Sequence, residues 1–231
     1  MLVRPPRVRS NRAPSVETRA QIRPMATILP APPGETRTEI DNVSWDTFVA
    51  LSEERRGSVP QMTYDEGLLE LMSPGFNHEN IGRLIGRVIE TYTEVRGIEV
   101  RSVARTTVKR RDLQKAYEAD ESYYVTHAEA VKGRDEIDLA VDPPPDLVVE
   151  VALTASLIRK LELFAAIGIP EVWQHDGKRL AFLRLRDDQY EAIDESVELP
   201  GLTAAFVQAV LDRRSEVGET RLIREFRASL G

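Results

Sequence analysis

Two carboxylates stand where acid is expensive. Glu150 is the only charged residue among the seven from Leu147 to Leu153, the other six being apolar, and Asp120 lies in YEADESYYV, an earlier β-prone segment. A run as short as LVVEVAL, rich in β-branched residues and opened by Pro143, Pro144 and Pro145, predicts a strand buried on both faces. An unpaired charge in such a strand costs several kcal/mol or neutralises itself, so Glu150 requires a partner: an arginine, a cation or a reaction. Two carboxylates on adjacent strands can share a hard divalent cation such as Mg2+ through oxygen. That cation would neutralise both and activate a water for attack on phosphate. The competing readings are a salt bridge from Glu150 to Arg105 or Arg110, and for Asp120 a solvated strand face.

The elements that must position these groups follow from periodicity. Ser44 caps a short helix carrying Trp45, Phe48 and Leu51, and MTYDEGLLELMS forms a hairpin about Asp-Glu-Gly. Between Asn77 and Glu94, Ile81, Leu84, Ile85, Val88, Ile89 and Tyr92 recur at helical spacing, and Gly97 ends the helix. IEVRSV, ARTTVKRR and YEADESYYV predict three neighbouring antiparallel strands, the last placing Glu118, Asp120, Ser122 and Tyr124 on one side. The Glu150 strand comes next, with Asp146, Val148, Glu150 and Ala152 sharing a face. Residues 156–167 predict a helix closed by Gly168, EVWQHDGKRLAFLRL a hairpin about Asp-Gly, and residues 202–213 a terminal helix.

Composition narrows the chemistry. Without cysteine there are no disulfides or thiolate metal sites, and three scattered histidines argue against zinc. No apolar run reaches the length of a membrane span and no signal peptide is evident, so a cytoplasmic protein is expected. The net charge of -7 divides unevenly, residues 1–24 carrying six Arg and one Glu. The acidic remainder argues against broad electrostatic capture of DNA. Residues 1–24 are expected to be a disordered basic extension, with Met25 a plausible alternative start. Residues 25–42 are expected to be a linker, 43–213 one domain and 214–231 a C-terminal helical tail.

EADESYYV, DPPPDLVVEVALTAS and RKLELFAAIGIPEVW, taken together, resemble the Uma-type restriction endonuclease family, within the superfamily named for its Pro-Asp…Asp/Glu-x-Lys signature. The likeness runs from about Val43 to Gly201. It implies an α/β (α+β) restriction-endonuclease-like fold, a central mixed β-sheet flanked by helices, and Mg2+- or Mn2+-dependent hydrolysis of DNA phosphodiesters. By the same resemblance Asp120 and Glu150 are metal ligands and Glu79 a third acidic contributor. Ala119 replaces the signature proline, and Ala152 stands where the signature has its lysine.

Members of the superfamily also supply that lysine from the following helix, where Lys160 is the candidate. Counted from Leu157 at 100° per residue, Lys160 lies 60° from the apolar stripe and can turn back toward the sheet; its bland alternative is snorkelling. Glu79 lies on a strip with Gly82 and Gly86 that something can approach closely, although a glutamate near a helix start also complements the dipole. His78 beside it could assist, although a lone histidine at a helix start is more often a surface residue, and His127 and His175 are read as structural. Lys109, Arg110 and Arg111 form the densest basic cluster, suited to a phosphate backbone or to a solvated strand end. The expected partner is DNA, with oligomeric state open, a homodimer included. The rival readings are a nuclease fold without turnover, serving as a nucleic-acid-binding or protein-interaction module, and a phosphodiesterase acting on RNA or small nucleotides.

Overall fold

The computed structural model describes residues 26–29, 34–55 and 59–231; the basic extension 1–24 lies outside them. Two six-stranded sheets organise the chain. The first is antiparallel and contains β1 (Ala26–Leu29), β2 (Thr36–Ile40), β3 (Gln61–Asp65), β4 (Leu68–Ser73), β6 (Val108–Arg110) and β7 (Lys115–Tyr117). The second runs β12-β11-β10-β9-β8-β5, with β5 (Arg101–Ser102), β8 (Glu121–Tyr124), β9 (Leu147–Val151), β10 (Glu171–His175), β11 (Leu180–Arg186) and β12 (Gln189–Ile193). Its β9–β10 pair is parallel and its other pairs are antiparallel, so this central sheet is mixed as expected.

Helices cover both faces of the central sheet. α2 (Phe76–Arg96), α4 (Ala204–Asp212) and α5 (Glu219–Ser229) bury Ile81, Ile85, Val88, Val207 and Phe226 with Val149, Val151 and Trp173 on one side. On the other, α3 (Lys160–Ile167) packs Leu163, Phe164 and Ile167 on Val148 and Val172. β9 is therefore buried on both faces, as its sequence requires. The Ser44 hydroxyl caps α1 (Trp45–Glu54) by accepting from the Thr47 amide, and left-handed Gly97 ends α2. No described helix is long and apolar enough to cross a membrane.

Several expectations give way here. Residues 25–42 contain β1 and β2 rather than only a linker. β2 escapes hydrophobic pattern reading because the alternate residues it buries, Arg37 and Glu39, are charged, as is buried Glu35 just before it. The segment YEADESYYV is not one strand: β7 joins the first sheet, β8 joins the second, and Glu118–Asp120 form the crossing between them. β12 was not anticipated, because its exposed edge residues carry little alternation. The C-terminal residues are no peripheral tail, since Leu222, Ile223, Phe226 and Leu230 are part of the main core. Finally, α3 begins at Lys160 rather than Ser156, and Leu157, read as the start of an apolar stripe, is exposed.

Candidate active site

The late start of α3 has a visible cause. The loop before it is bound side chain by side chain to the first sheet and the turn before β2. Thr154 Oγ1 donates to Glu35 Oε1 at 2.7 Å, Ser156 donates to Glu70, and the Leu157 amide donates to Glu39 Oε1 at 2.7 Å. These bonds hold residues 154–157 in a loop that competes with helical hydrogen bonding. Lys160, at the first position of α3, then turns back onto the sheet, and its Nζ lies 2.5 Å from Glu150 Oε1. Both side chains are nearly sealed from solvent, at 10% and 4% exposure, so Lys160 is a buried ion-pair partner and does not snorkel. Neither Arg105 nor Arg110 takes that role; they pair with Glu79 and Asp112.

Asp120 sits at the crossing between the sheets. Its amide donates to the Val149 carbonyl at 3.2 Å, just ahead of the Glu121–Val149 pair that opens β8, so it stands beside the Glu150 segment of β9, close enough for its charge to raise the Glu150 carboxyl. Its Oδ2 accepts from the Val151 amide at 2.8 Å, and its Oδ1 from Gln61 Nε2 at 3.0 Å and His78 Nε2 at 2.9 Å. His78 is fully buried and bridges two acids, its Nδ1 lying 3.2 Å from Glu35 Oε2. The expectation of a surface histidine is thereby overturned: α2 turns this residue inward, where both of its hydrogen-bond partners among the described residues are carboxylates. Gly82, one helical turn further on, makes the close approach possible, because a Cβ there would stand 3.3 Å from the Cβ of Asp120. A Cβ on Gly86 would stand 3.0 Å from Glu121 Oε1 and the Tyr123 hydroxyl, so the strip predicted from the two glycines is the face α2 presents to β8.

The charges are mutually supporting. Burial alone would raise the Asp120 carboxyl, but the hydrogen bond and charge of His78, the Gln61 amide and the Lys160 ammonium outweigh it and hold the group at about 2. Burial likewise opposes charge on His78, yet Asp120, Glu150 and Glu35 push its pKa above the ordinary value. An imidazolium that donates from both nitrogens satisfies both acids. Lys160 is also kept charged against burial, by Glu150, Glu70 and Asp120. Burial pushes the Glu150 carboxyl up, with Lys160 opposing and Asp120 reinforcing the rise. Behind this group lies a second buried pair, with Arg37 Nη1 2.5 Å from Glu70 Oε2 and both residues nearly inaccessible.

Glu79 is not drawn into the cluster. It forms an ion pair with Arg105 and remains 37% exposed. Among the described residues no three His, Cys, Asp or Glu side chains form a metal-holding group. The donor set that remains is the neighbouring pair Asp120 and Glu150. It suits Mg2+, which is commonly held by one or two carboxylates and completed by water and substrate oxygens. Room exists beside it: a cavity of about 340 Å3 is walled by Glu150, Lys160, Arg37, Ala152, Ile158 and Gln174, among others. Asp120 Oδ2 accepts a single bond and only one oxygen of Glu150 has a partner among the described residues, so both carboxylates retain lone pairs for a cation.

The sequence shows His78 only as a possible assistant to Glu79, and gives no notice of Glu35, Gln61 or the Arg37–Glu70 pair. The signal for two of them was present as the alternation Glu35, Arg37, Glu39, which describes a strand with a charged buried side. His127 has a structural place, its amide and Nδ1 both bound to Asp146, whereas the Nε2 of buried His175 has no partner among the described residues. In the basic cluster, Arg110 pairs with Asp112 and Arg111 with Asp46 at the surface.

The fold has a solved counterpart in the crystal structure of a putative nuclease from Anabaena variabilis, at a TM-score of 0.53 and 16% identity, covering 72% of this chain and 98% of that one. No curated protein matches. The family model Uma2, described as "Putative restriction endonuclease", matches residues 45–211, and it spans the crossing at Asp120, the Glu150 strand and the Lys160 helix. The chain therefore belongs to the Uma2 family.

Proposed function

We propose that the protein is a Mg2+- or Mn2+-dependent DNA endonuclease in which Asp120 and Glu150 hold the metal. The observation that carries this reading is the closeness of two buried carboxylates, Asp120 at the crossing into β8 and Glu150 on β9, with the ammonium of Lys160 on Glu150. A divalent cation held there supplies a water of lowered pKa and neutralises charge on the phosphate. The rest falls to the chain. His78 and Gln61 fix the rotamer of Asp120, and the Val151 amide anchors its second oxygen. Lys160 orients the attacking water and stabilises the negative charge that develops on the phosphate oxygens. As the water oxygen bonds to phosphorus and gives up a proton to bulk water, the bond to the leaving sugar oxygen breaks and that oxygen takes a proton back from bulk water. Glu79 acts at one remove by fixing Arg105, whose guanidinium feels the charge of Asp120. A cytoplasmic location accords with this reading.

A second reading, a binding module without turnover, is favoured by Ala152 at the usual lysine position and by a cluster with only two carboxylates free to ligate. Incubation of the purified protein with plasmid and single-stranded DNA under Mg2+, Mn2+ and EDTA separates the two. Cleavage with either metal and none in EDTA supports the nuclease. Retained binding without cleavage in any metal supports the module.

A further inference from the structure

The cavity beside Glu150 is lined by one polar side chain that makes no hydrogen bond or ion pair to the described residues. Lys160 is bound to Glu150, Arg37 to Glu70 and Thr154, and Ser156 to Glu70. At the rim Arg159 is bound to Glu162. The carboxamide of Gln174 has no hydrogen-bond partner among the described residues, although it is half-buried and lines the same space. An amide that faces a recess without a protein partner keeps both its donor and its acceptor free for a bound ligand.

Its position identifies the ligand. Gln174 lies on β10 in parallel register with Glu150, whereas Asp120 lies on the opposite side of β9. Strands stand about 4.8 Å apart, so Gln174 is displaced by one strand from the carboxylate pair, away from where the phosphate is attacked. What it reaches is the nucleoside attached to that phosphate. The remaining wall, Ala152, Ile158 and Leu161, is apolar and suits the faces of an aromatic ring, while an amide both donates and accepts as a nucleobase edge requires. A base stacked within a duplex cannot enter such a recess; one in a single strand, or turned out of the helix, can.

We propose that this cavity is a nucleobase pocket read by Gln174, and that the preferred substrate carries an unpaired nucleotide next to the cleaved phosphate. The proposal rests on the nuclease reading for the identity of its ligand. Its test is a fluorescence-anisotropy titration of labelled dA, dC and dT homopolymers, and of a duplex, against the wild type and Gln174→Leu in EDTA. Gln174→Leu keeps the side-chain bulk and removes only a polar group that has no partner, so it is expected to fold. The wild type is expected to bind the best single strand about tenfold more tightly than the worst, the scale of one paired base edge, and more tightly than the duplex. In Gln174→Leu that discrimination should fall below about twofold. Equal wild-type affinity for the three strands, undiminished discrimination in Gln174→Leu, or tighter binding of the duplex overturns the pocket. Cleavage of the same strands with Mn2+ keeps the two claims apart. Discrimination lost in the variant with no cleavage by either protein upholds the pocket and rejects the nuclease; cleavage without discrimination does the reverse.

Discussion

Lys160 Nζ lies 2.5 Å from Glu150 Oε1, joining the first residue of α3 to the middle of a strand that is buried on both faces. The contact explains how Glu150 is tolerated among valines before any metal binds. It also gives Lys160 a structural duty in addition to its proposed catalytic one.

Lys160→Ala is therefore expected to lower stability as well as activity. It leaves Glu150 buried without its cation, a loss of about 3–5 kcal/mol. Mn2+ should return part of that loss by taking over the neutralisation. Thermal melts with and without Mn2+ check this: a larger metal-induced rise in Tm for the variant than for the wild type is the expected result.

Gly82→Ala should disturb Asp120 in particular. The new Cβ would stand 3.3 Å from that of Asp120, closer than ordinary packing allows. The helix propensity gained, about 1 kcal/mol, offsets much of the packing strain, so the expected signature is a fall in cleavage out of proportion to any change in stability, since a displaced ligand costs up to about a hundredfold. Gly218→Ala is the control, because a Cβ there meets nothing within 4 Å. Single-turnover cleavage and melting of both variants decide the point.

The pH dependence of stability in EDTA should carry two opposite signatures. Asp120 falls from 3.8 to about 2 in the folded state, so its contribution, about 2 kcal/mol, is complete above pH 3.8 and is lost as pH falls through about 2. His78 is raised above 6.5, so its contribution is complete below that pH and is lost as pH rises through the higher folded value. Denaturant titrations should show the advantage of the wild type over His78→Gln shrinking on the alkaline side. Its advantage over Asp120→Asn should shrink at the acid extreme.

Asp120 and His78 should also be coupled. A double-mutant cycle with Asp120→Asn and His78→Gln is expected to give an interaction of about 1–3 kcal/mol, measured by chemical denaturation in EDTA. Additive effects would mean that the 2.9 Å contact contributes nothing to holding the aspartate.

How far these features could be read from sequence depended on which rule each residue obeyed. β9, α2 and the hairpins follow hydrophobic period and turn chemistry, and their positions were legible. β2 was not, because it buries Arg37 and Glu39 and repays that burial through Glu70, Thr154 and Leu157, partners distant in sequence. The break at Glu118–Asp120 was hidden for a related reason: a chain that crosses between sheets keeps its β propensity on both sides of the crossing. Asp120, Glu150 and Lys160 were legible as candidates because buried charge and family likeness both indicated them. His78 was legible as a possible assistant, but not as a bridge, since only the packing of α2 shows that both of its nitrogens face acids.

The central claim is that Asp120 and Glu150 hold one catalytic divalent cation. Calorimetric titration of Mn2+ into the wild type, Asp120→Asn and Glu150→Gln addresses it most directly. The account predicts a single site in the wild type that is lost or weakened at least tenfold in each variant. Equal Mn2+ affinity in all three proteins would contradict it and leave Glu150 and Lys160 as a purely structural ion pair.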